Sequence, residues 1–370
     1  VKRILALALA GLTCTGPALG ADRYFGADLS FANEMEDCGA VYRESGDAKD
    51  VFALFKEHGA NLIRIRIWNN ATWTHYSNID DVKKSIARAR ALGMQVLLDF
   101  HYSDDWADGD KQIIPAAWAA ITDENPLAQA LYRYTFDTLT ALDRAGLMPN
   151  QVQVGNEINQ ELLGQADWKG RPINWERNAR LLNAAIKAVR DAGAKSIIKP
   201  KVMIHIAQPE NVEPWFAAAT AAGVTDVDLI GISYYRKWSK ETIDELGATI
   251  KRLVAAYPKS EVMVVETAYP WTMDWADDLR NQLGRDSLDP AYPATPDGQA
   301  KYLVDMSQAV ISNGGVGVVY WAPDWVSTRC MTRWGRGSAW ENATFFDFHR
   351  KNEVLPGIDF MSHAYAAPAN

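Results

Sequence analysis

A chain of 370 residues, 48% of them apolar, with a formal charge of −8, has room for one large core or two ordinary ones. Past the N-terminus no apolar run is long enough to cross a bilayer, so a membrane-spanning chain is not expected. An acidic chain without a basic stripe also argues against nucleic acid and anionic membrane as partners, and favours an uncharged substrate only weakly.

Residues 1–20 read as an export signal. Lys2 and Arg3 charge its start, residues 4–12 are apolar, and Ala18-Leu19-Gly20 offers a small-residue cleavage pattern. A short buried helix is the alternative. Removal of this segment takes Cys14 with it, leaves Cys38 and Cys330, and shifts the charge to −10 through loss of Lys2 and Arg3. The expected protein is therefore exported, to a periplasm or beyond, with 21–370 as a single domain.

Within that domain, short β-branched runs bounded by turn residues recur at 24–29, 62–68, 95–101, 151–154, 201–206, 228–234, 262–266 and 316–321. Amphipathic stretches at 79–91, 126–145, 175–192 and 242–256 read as helices between them. Gly93, Gly146 and Gly193 stand where a helix stop favours a left-handed residue. Eight strand-then-helix units predict an α/β fold, a (β/α)8 TIM barrel, with a doubly wound open sheet as the alternative. The longest connections follow strands three, four, seven and eight, which in a barrel share the catalytic face.

Two glutamates stand at strand ends: Glu157 in Val-Gly-Asn-Glu-Ile-Asn and Glu266 in Val-Val-Glu-Thr-Ala. Strands four and seven face each other across a closed barrel, so these carboxylates are expected to approach to ~5 Å, the spacing of a retaining glycosidase. At that distance their proton affinities are driven apart. Asn156 is placed to hold a sugar 2-hydroxyl. Arg64 and Arg66 share a strand face; either an arginine keeps Glu266 ionised, or they form structural ion pairs. His101 and His205 read as hydrogen-bonding groups of a sugar site, or as satisfied structural histidines. No His-x-His or His-Glu-x-x-His supports a metal hydrolase, and there is neither a nucleotide-binding glycine pattern nor a Gly-x-Ser-x-Gly elbow.

Most of the fourteen tryptophans fall in or after strand ends: Trp68, Trp73, Trp106, Trp118, Trp168, Trp238, Trp271, Trp275, Trp321 and Trp325. Such rings on one face suit stacking on pyranose rings, although packing remains the plainer role for any single one. Cys38 follows the first strand and Cys330 the last, neighbours where a barrel closes, so a disulfide across the seam is expected, with two free buried thiols as the alternative.

Gly26-Ala27-Asp28-Leu29-Ser30, Arg64-Ile65-Arg66-Ile67-Trp68, Asp99-Phe100-His101-Tyr102-Ser103-Asp104, Trp106-Ala107-Asp108 and Val154-Gly155-Asn156-Glu157-Ile158-Asn159 occur in order. Gly231-Ile232-Ser233-Tyr234-Tyr235, Val264-Val265-Glu266-Thr267-Ala268-Tyr269-Pro270-Trp271, Tyr320-Trp321 and Trp340-Glu341-Asn342 follow. Together they resemble the endo-β-1,4-galactanases of glycoside hydrolase family 53. The resemblance implies a retaining barrel enzyme that cuts β-1,4-galactan side chains of pectin, with Glu157 as acid/base, Glu266 as nucleophile, and Asn156 and Arg66 as their helpers. It further implies sugar contacts at Asp99, His101, Trp106, Trp271 and Trp321, with one of Tyr234 and Tyr235 against the nucleophile. The family's usual Trp-Ala-Asp-Pro carries Gly109 here, and its Tyr-Trp-Glu-Pro carries Ala322. Some bacterial relatives hold structural calcium after the seventh strand, where this chain has Asp274, Asp277 and Asp278. Asp-rich helix starts are commonplace, and no cofactor is expected to be required. A monomer acting on polysaccharide is the expectation. Another retaining β-glycanase of the same clan, for mannan, xylan or glucan, and an inactive sugar-binding barrel are the alternatives.

Overall fold

The computed structural model describes residues 23–164 and 170–368. The expected leader over 1–20, Cys14 and Trp168 lie outside the described residues. Eight strands alternate with helices: Tyr24–Asp28 (β1), Leu62–Ile67 (β2), Gln95–Phe100 (β3), Gln151–Val154 (β4), Lys201–Ala207 (β5), Leu229–Ser233 (β6), Glu261–Glu266 (β7) and Gly317–Trp321 (β8). They form a closed, all-parallel barrel in chain order, with β1 hydrogen-bonded to both β2 and β8. The sheet is thus a barrel and not an open one. Strands covered on both faces have no solvated side, so most read as apolar runs, while β2 and β4 alternate because polar groups face the barrel interior.

Two apolar layers hold the barrel. Leu62, Leu97, Met203, Leu229 and Met263 belong to a compact inner cluster, while a larger one lies between strands and helices. On either side of β1 the backbones approach so closely that a side chain is excluded: a Cβ on Gly26 would lie 1.7 Å from Leu62 O of β2, and one on Gly317 of β8 2.0 Å from Tyr24 O.

The helices begin where their caps dictate. Asn78 accepts from the N–H groups of Asp80 and Asp81 to start Ile79–Ala91, and Thr242 with Glu245 forms a capping box before Ile243–Ala256. The other two expected helices run over Glu124–Arg144 and Trp175–Ala194. Gly93 and Gly146 adopt φ of 72° and 71° past their helices. Gly193 does not: it lies inside Trp175–Ala194, where a Cβ would meet the Pro200 ring at 2.8 Å, so close packing and not a left-handed turn requires it. Among the described residues no helix is long and apolar enough to cross a membrane.

Cys38 and Cys330 form a disulfide, 5.5 Å between their Cα atoms, across 292 residues of sequence. It clamps the loop after β1 to the loop after β8. On the opposite face, Arg23 Nη1 donates to Tyr365 O and the Phe25 and Tyr365 rings stack at 4.9 Å, so the two ends of the described chain meet beneath the barrel.

Candidate active site

Two-residue alternation points Arg64, Asp99, Gln153, His205 and Ser233 inward at the C-terminal end of the barrel, where the apolar filling gives way to polar groups. Arg64 is their hub. Its Nη1 lies 2.9 Å from Asp28 Oδ2 and 2.6 Å from Glu266 Oε1, and its Nη2 2.8 Å from Asp99 Oδ2 and 2.7 Å from Asn156 Oδ1. Its Nε donates to Gln153 Oε1 at 3.1 Å, which fixes the amide so that Gln153 Nε2 donates to Asp99 Oδ1 at 2.6 Å. Burial would raise Asp99, but Arg64 and then His101 outweigh it and hold the carboxyl below its usual range.

Glu266 ends β7. Its Oε2 accepts from Tyr235 OH at 3.1 Å, so of the two candidate tyrosines Tyr235 meets this carboxylate. Tyr234 points away and donates to Glu241 O. Burial, opposed by Arg64 and reinforced by the charges of Glu157, Asp99 and Asp28, pushes Glu266 up to about 8.

Glu157 lies three residues past β4, which stops at Val154, in a turn where its φ is 46°. Its Oε1 accepts from Ser233 Oγ at 2.5 Å and its Oε2 from the backbone N–H of Gly109 at 3.3 Å. A proline at position 109 would have no N–H to give. Burial raises the Glu157 carboxyl, with Asp108 adding to it and Ser233, Gly109 and Arg64 opposing. Asn156 Nδ2 donates to Ala107 O at 2.8 Å, and the side chain lines the cleft beside Glu157.

Both glutamates open into one cleft of about 1290 Å3. Eight tryptophans line it: Trp106, Trp175, Trp215, Trp238, Trp321, Trp325, Trp334 and Trp340. Trp106, Trp238, Trp321 and Trp325 were expected there. Trp175 and Trp215 come from helices, and Trp334 from the hairpin of Met331–Thr332 with Gly335–Arg336, so a rule based on strand ends missed them.

Several expected sugar contacts lie beneath this surface. Arg66 does not reach Glu266. Its guanidinium packs over Phe31, Trp68 and Trp106 at 4.2, 4.7 and 4.4 Å, and its Nε donates to Ser77, so it props the Trp106 platform. Asp99 is spent on Arg64, Gln153 and His101. His101 Nδ1 accepts from Ala107 N–H, leaving its Nε2 proton for Asp99 at 3.0 Å. His205 is enclosed among Gln153, Asn156 and Ser233. Trp271 donates to Glu341 O and packs on Phe348. None of these five lines the cleft; they support the residues that do.

Of the three aspartates after β7, two are already engaged by protein groups. Asp277 accepts from Leu279 N, Ser327 Oγ and Ser338 N, while Asp274 turns to His349 at 3.2 Å. Among the described residues no three acidic, His or Cys side chains converge on a metal position. Glu341, buried near Asp277, is pushed up to about 8 by burial, with Asp277 adding to it.

The chain is 52% identical to the arabinogalactan endo-beta-1,4-galactanase of Cellvibrio japonicus (strain Ueda107), over 100% of this chain and 99% of that one. Its fold superposes on the Ignisphaera aggregans GH53 catalytic domain with a TM-score of 0.84 at 32% identity, covering 95% of this chain and 98% of that one. It superposes on a fungal beta-1,4-galactanase with a TM-score of 0.77 at 29% identity, covering 92% and 99%. With the family model matching residues 24–361, the chain belongs to glycosyl hydrolase family 53.

Proposed function

We propose that this glycosyl hydrolase cleaves internal β-1,4-galactosidic bonds in galactan and arabinogalactan side chains of pectin, with retention of configuration. The observation that carries the mechanism is the unequal partnering of two carboxylates in one cleft. Glu266 receives a guanidinium and a phenol, whereas Glu157 receives only neutral donors. Burial raises both carboxyls, but only Glu266 is in contact with a cation, so the charge belongs on Glu266 and the shared proton on Glu157. Glu266 then attacks the anomeric carbon as Glu157 protonates the departing glycosidic oxygen. In the second step Glu157 takes a proton from water, which displaces Glu266 from the glycosyl-enzyme.

The substrate assignment rests on the Cellvibrio japonicus galactanase, similar over the whole chain. A tryptophan-lined cleft that accommodates several sugars suits an endo-acting enzyme. Export of the chain is the reading that the leader-like sequence of residues 1–20 supports.

Reducing-end release from linear β-1,4-galactan, measured beside mannan, xylan and glucan, tests the reading. Release from galactan is expected, with Glu266→Gln lowering it by at least about 10⁴-fold. Activity confined to another glycan would overturn the substrate, and a fully active Glu266→Gln would overturn the mechanism. The proton on Glu157 also sets the alkaline side of the profile: burial raises this carboxyl, so the fall of kcat/KM with rising pH is expected well above the ordinary carboxylate range, in a pH–rate series.

A further inference from the structure

Ser233, the last residue of β6, stands between the two carboxylates. It is the ladder partner of Glu266 and donates its hydroxyl proton to Glu157 Oε1 at 2.5 Å. On its other side lies His205 Nε2, 2.8 Å from Ser233 Oγ. The proton on that imidazole can be placed from its neighbours. The backbone N–H of Glu157 points at His205 Nδ1 from 3.3 Å, and a peptide nitrogen can only donate, so Nδ1 accepts. Asn156 Oδ1, 3.0 Å from the same nitrogen, already accepts from Arg64 Nη2 at 2.7 Å. Burial, and then Arg64, hold His205 well below its usual proton affinity, so the ring is neutral and carries its one proton on Nε2. That proton occupies a lone pair of Ser233, whose own O–H is left to point at Glu157.

We propose that Ser233 is a positioning residue for the acid/base: oriented by neutral His205, it holds Glu157 Oε1 as an acceptor and thereby places the transferable proton on Oε2. The proposal rests on Glu157 being the acid/base. Gly109 N–H meets Oε2 from the loop after β3, leaving a second lone pair of that oxygen for the proton that goes to the leaving group. Around this carboxyl stand Asp108 from the same loop, Arg64 from β2, His205 from β5, Tyr235 after β6 and Glu266 from β7. Among the described residues only Ser233 and Gly109 hydrogen-bond to its oxygens. A hydroxyl that donates to a carboxylate favours the ionised form, so its removal raises the proton affinity of Glu157.

The test compares Ser233→Ala with the unaltered chain on galactan and on an activated aryl β-galactobioside, whose leaving group needs no proton. Hydrolysis of galactan is expected to fall about 10- to 100-fold and that of the aryl substrate less than about threefold, the signature of impaired acid catalysis. The alkaline limb of the galactan profile is expected to move to higher pH. Ser233→Thr, which keeps the hydroxyl, is expected to return the ratio of the two activities toward the starting value. Equal losses on both substrates with an unmoved alkaline limb would reduce Ser233 to packing and overturn the proposal. Glu157→Ala separates the two levels. If that variant spares the aryl substrate and is rescued by azide while Ser233→Ala shows no selectivity, only this inference fails; if Glu157→Ala shows neither effect, the acid/base assignment fails beneath it.

Discussion

Arg64 is one guanidinium facing three buried carboxylates, Asp28, Asp99 and Glu266. Burial first, and then the excess negative charge of Glu157, Asp99 and Asp28, drives Glu266 up even though Arg64 touches it. The linkage to stability follows in sign. The buried pair of Glu157 and Glu266 binds its shared proton more tightly folded than unfolded, so that contribution is fully present below the unfolded value of about 4.5 and is lost as pH rises through the raised folded-state range. Glu266→Gln removes one of the two buried acids and is therefore expected to unfold at a higher temperature than the unaltered chain at pH 8, with the gap narrowing toward pH 4.5; thermal melts at the two pH values check it. Arg64→Met is expected to act in the opposite direction, costing about 3–5 kcal/mol because it leaves three acids facing one another without a cation, as denaturant titration would read. Much of this site was legible in the sequence. The two glutamates, Asn156 and the shared face of Arg64 and Arg66 all follow from strand ends and a two-residue period. Depth along the strand did not follow. Arg64, one layer down, is long enough to reach a carboxylate at the strand end, whereas Arg66 has already left the barrel for the rings of Phe31, Trp68 and Trp106. The choice between Tyr234 and Tyr235 was available: counted from inward-facing Ser233, the period turns Tyr234 out and Tyr235 in.

The elements of this fold divide into those with a local signal and those without. Helices with a capping asparagine or threonine and a glycine stop announce themselves within two residues. The turns that finish β3, β4, β5 and β8 do not. Tyr102, Glu157, Gln208 and Ala322 take φ of 51°, 46°, 58° and 50°, left-handed values that none of these side chains favours. Such strain, about 1–2 kcal/mol per residue, gathers on the catalytic face because surrounding contacts over-determine it. Glu157 is held by His205 at its backbone and by Ser233 and Gly109 at its carboxyl. The hairpin at Met331–Thr332 and Gly335–Arg336 left no period either, its strands being two residues each. Its tip matters for the cleft. Arg333 lies over the Trp73 and Trp334 rings at 4.6 and 5.1 Å and pairs with Asp105 of the loop after β3. Trp334, Trp106 and Trp321 follow one another with ring centres 6.3 and 6.0 Å apart, a strip leading from the catalytic pair. Trp334→Ala is expected to raise KM for polymeric galactan about fivefold with kcat nearly unchanged, the pattern of lost ground-state stacking, and to leave the aryl galactobioside unaffected; initial-rate kinetics on both substrates check it.

At the scale of the whole molecule, the barrel was the most legible feature, because most of its doubly covered strands leave an apolar run and successive strands are neighbours in the sheet. The disulfide was legible for the same reason: once the first and last strands are neighbours, Cys38 and Cys330 fall on one side of the seam. Its loop of 292 residues is long, so its loss is expected to cost about 4 kcal/mol; Cys330→Ser should lower Tm by on the order of 5 °C, as calorimetry would show. Where the two ends of the described chain meet has a practical bearing. Arg23 and Tyr365 join beneath the barrel, at the N-terminal ends of the strands, while the groove opens at their C-terminal ends. A tether to a bead, a resin or a fused sugar-binding module, attached near either residue, would leave the groove facing outward, free for a polymer too large to diffuse into a pore.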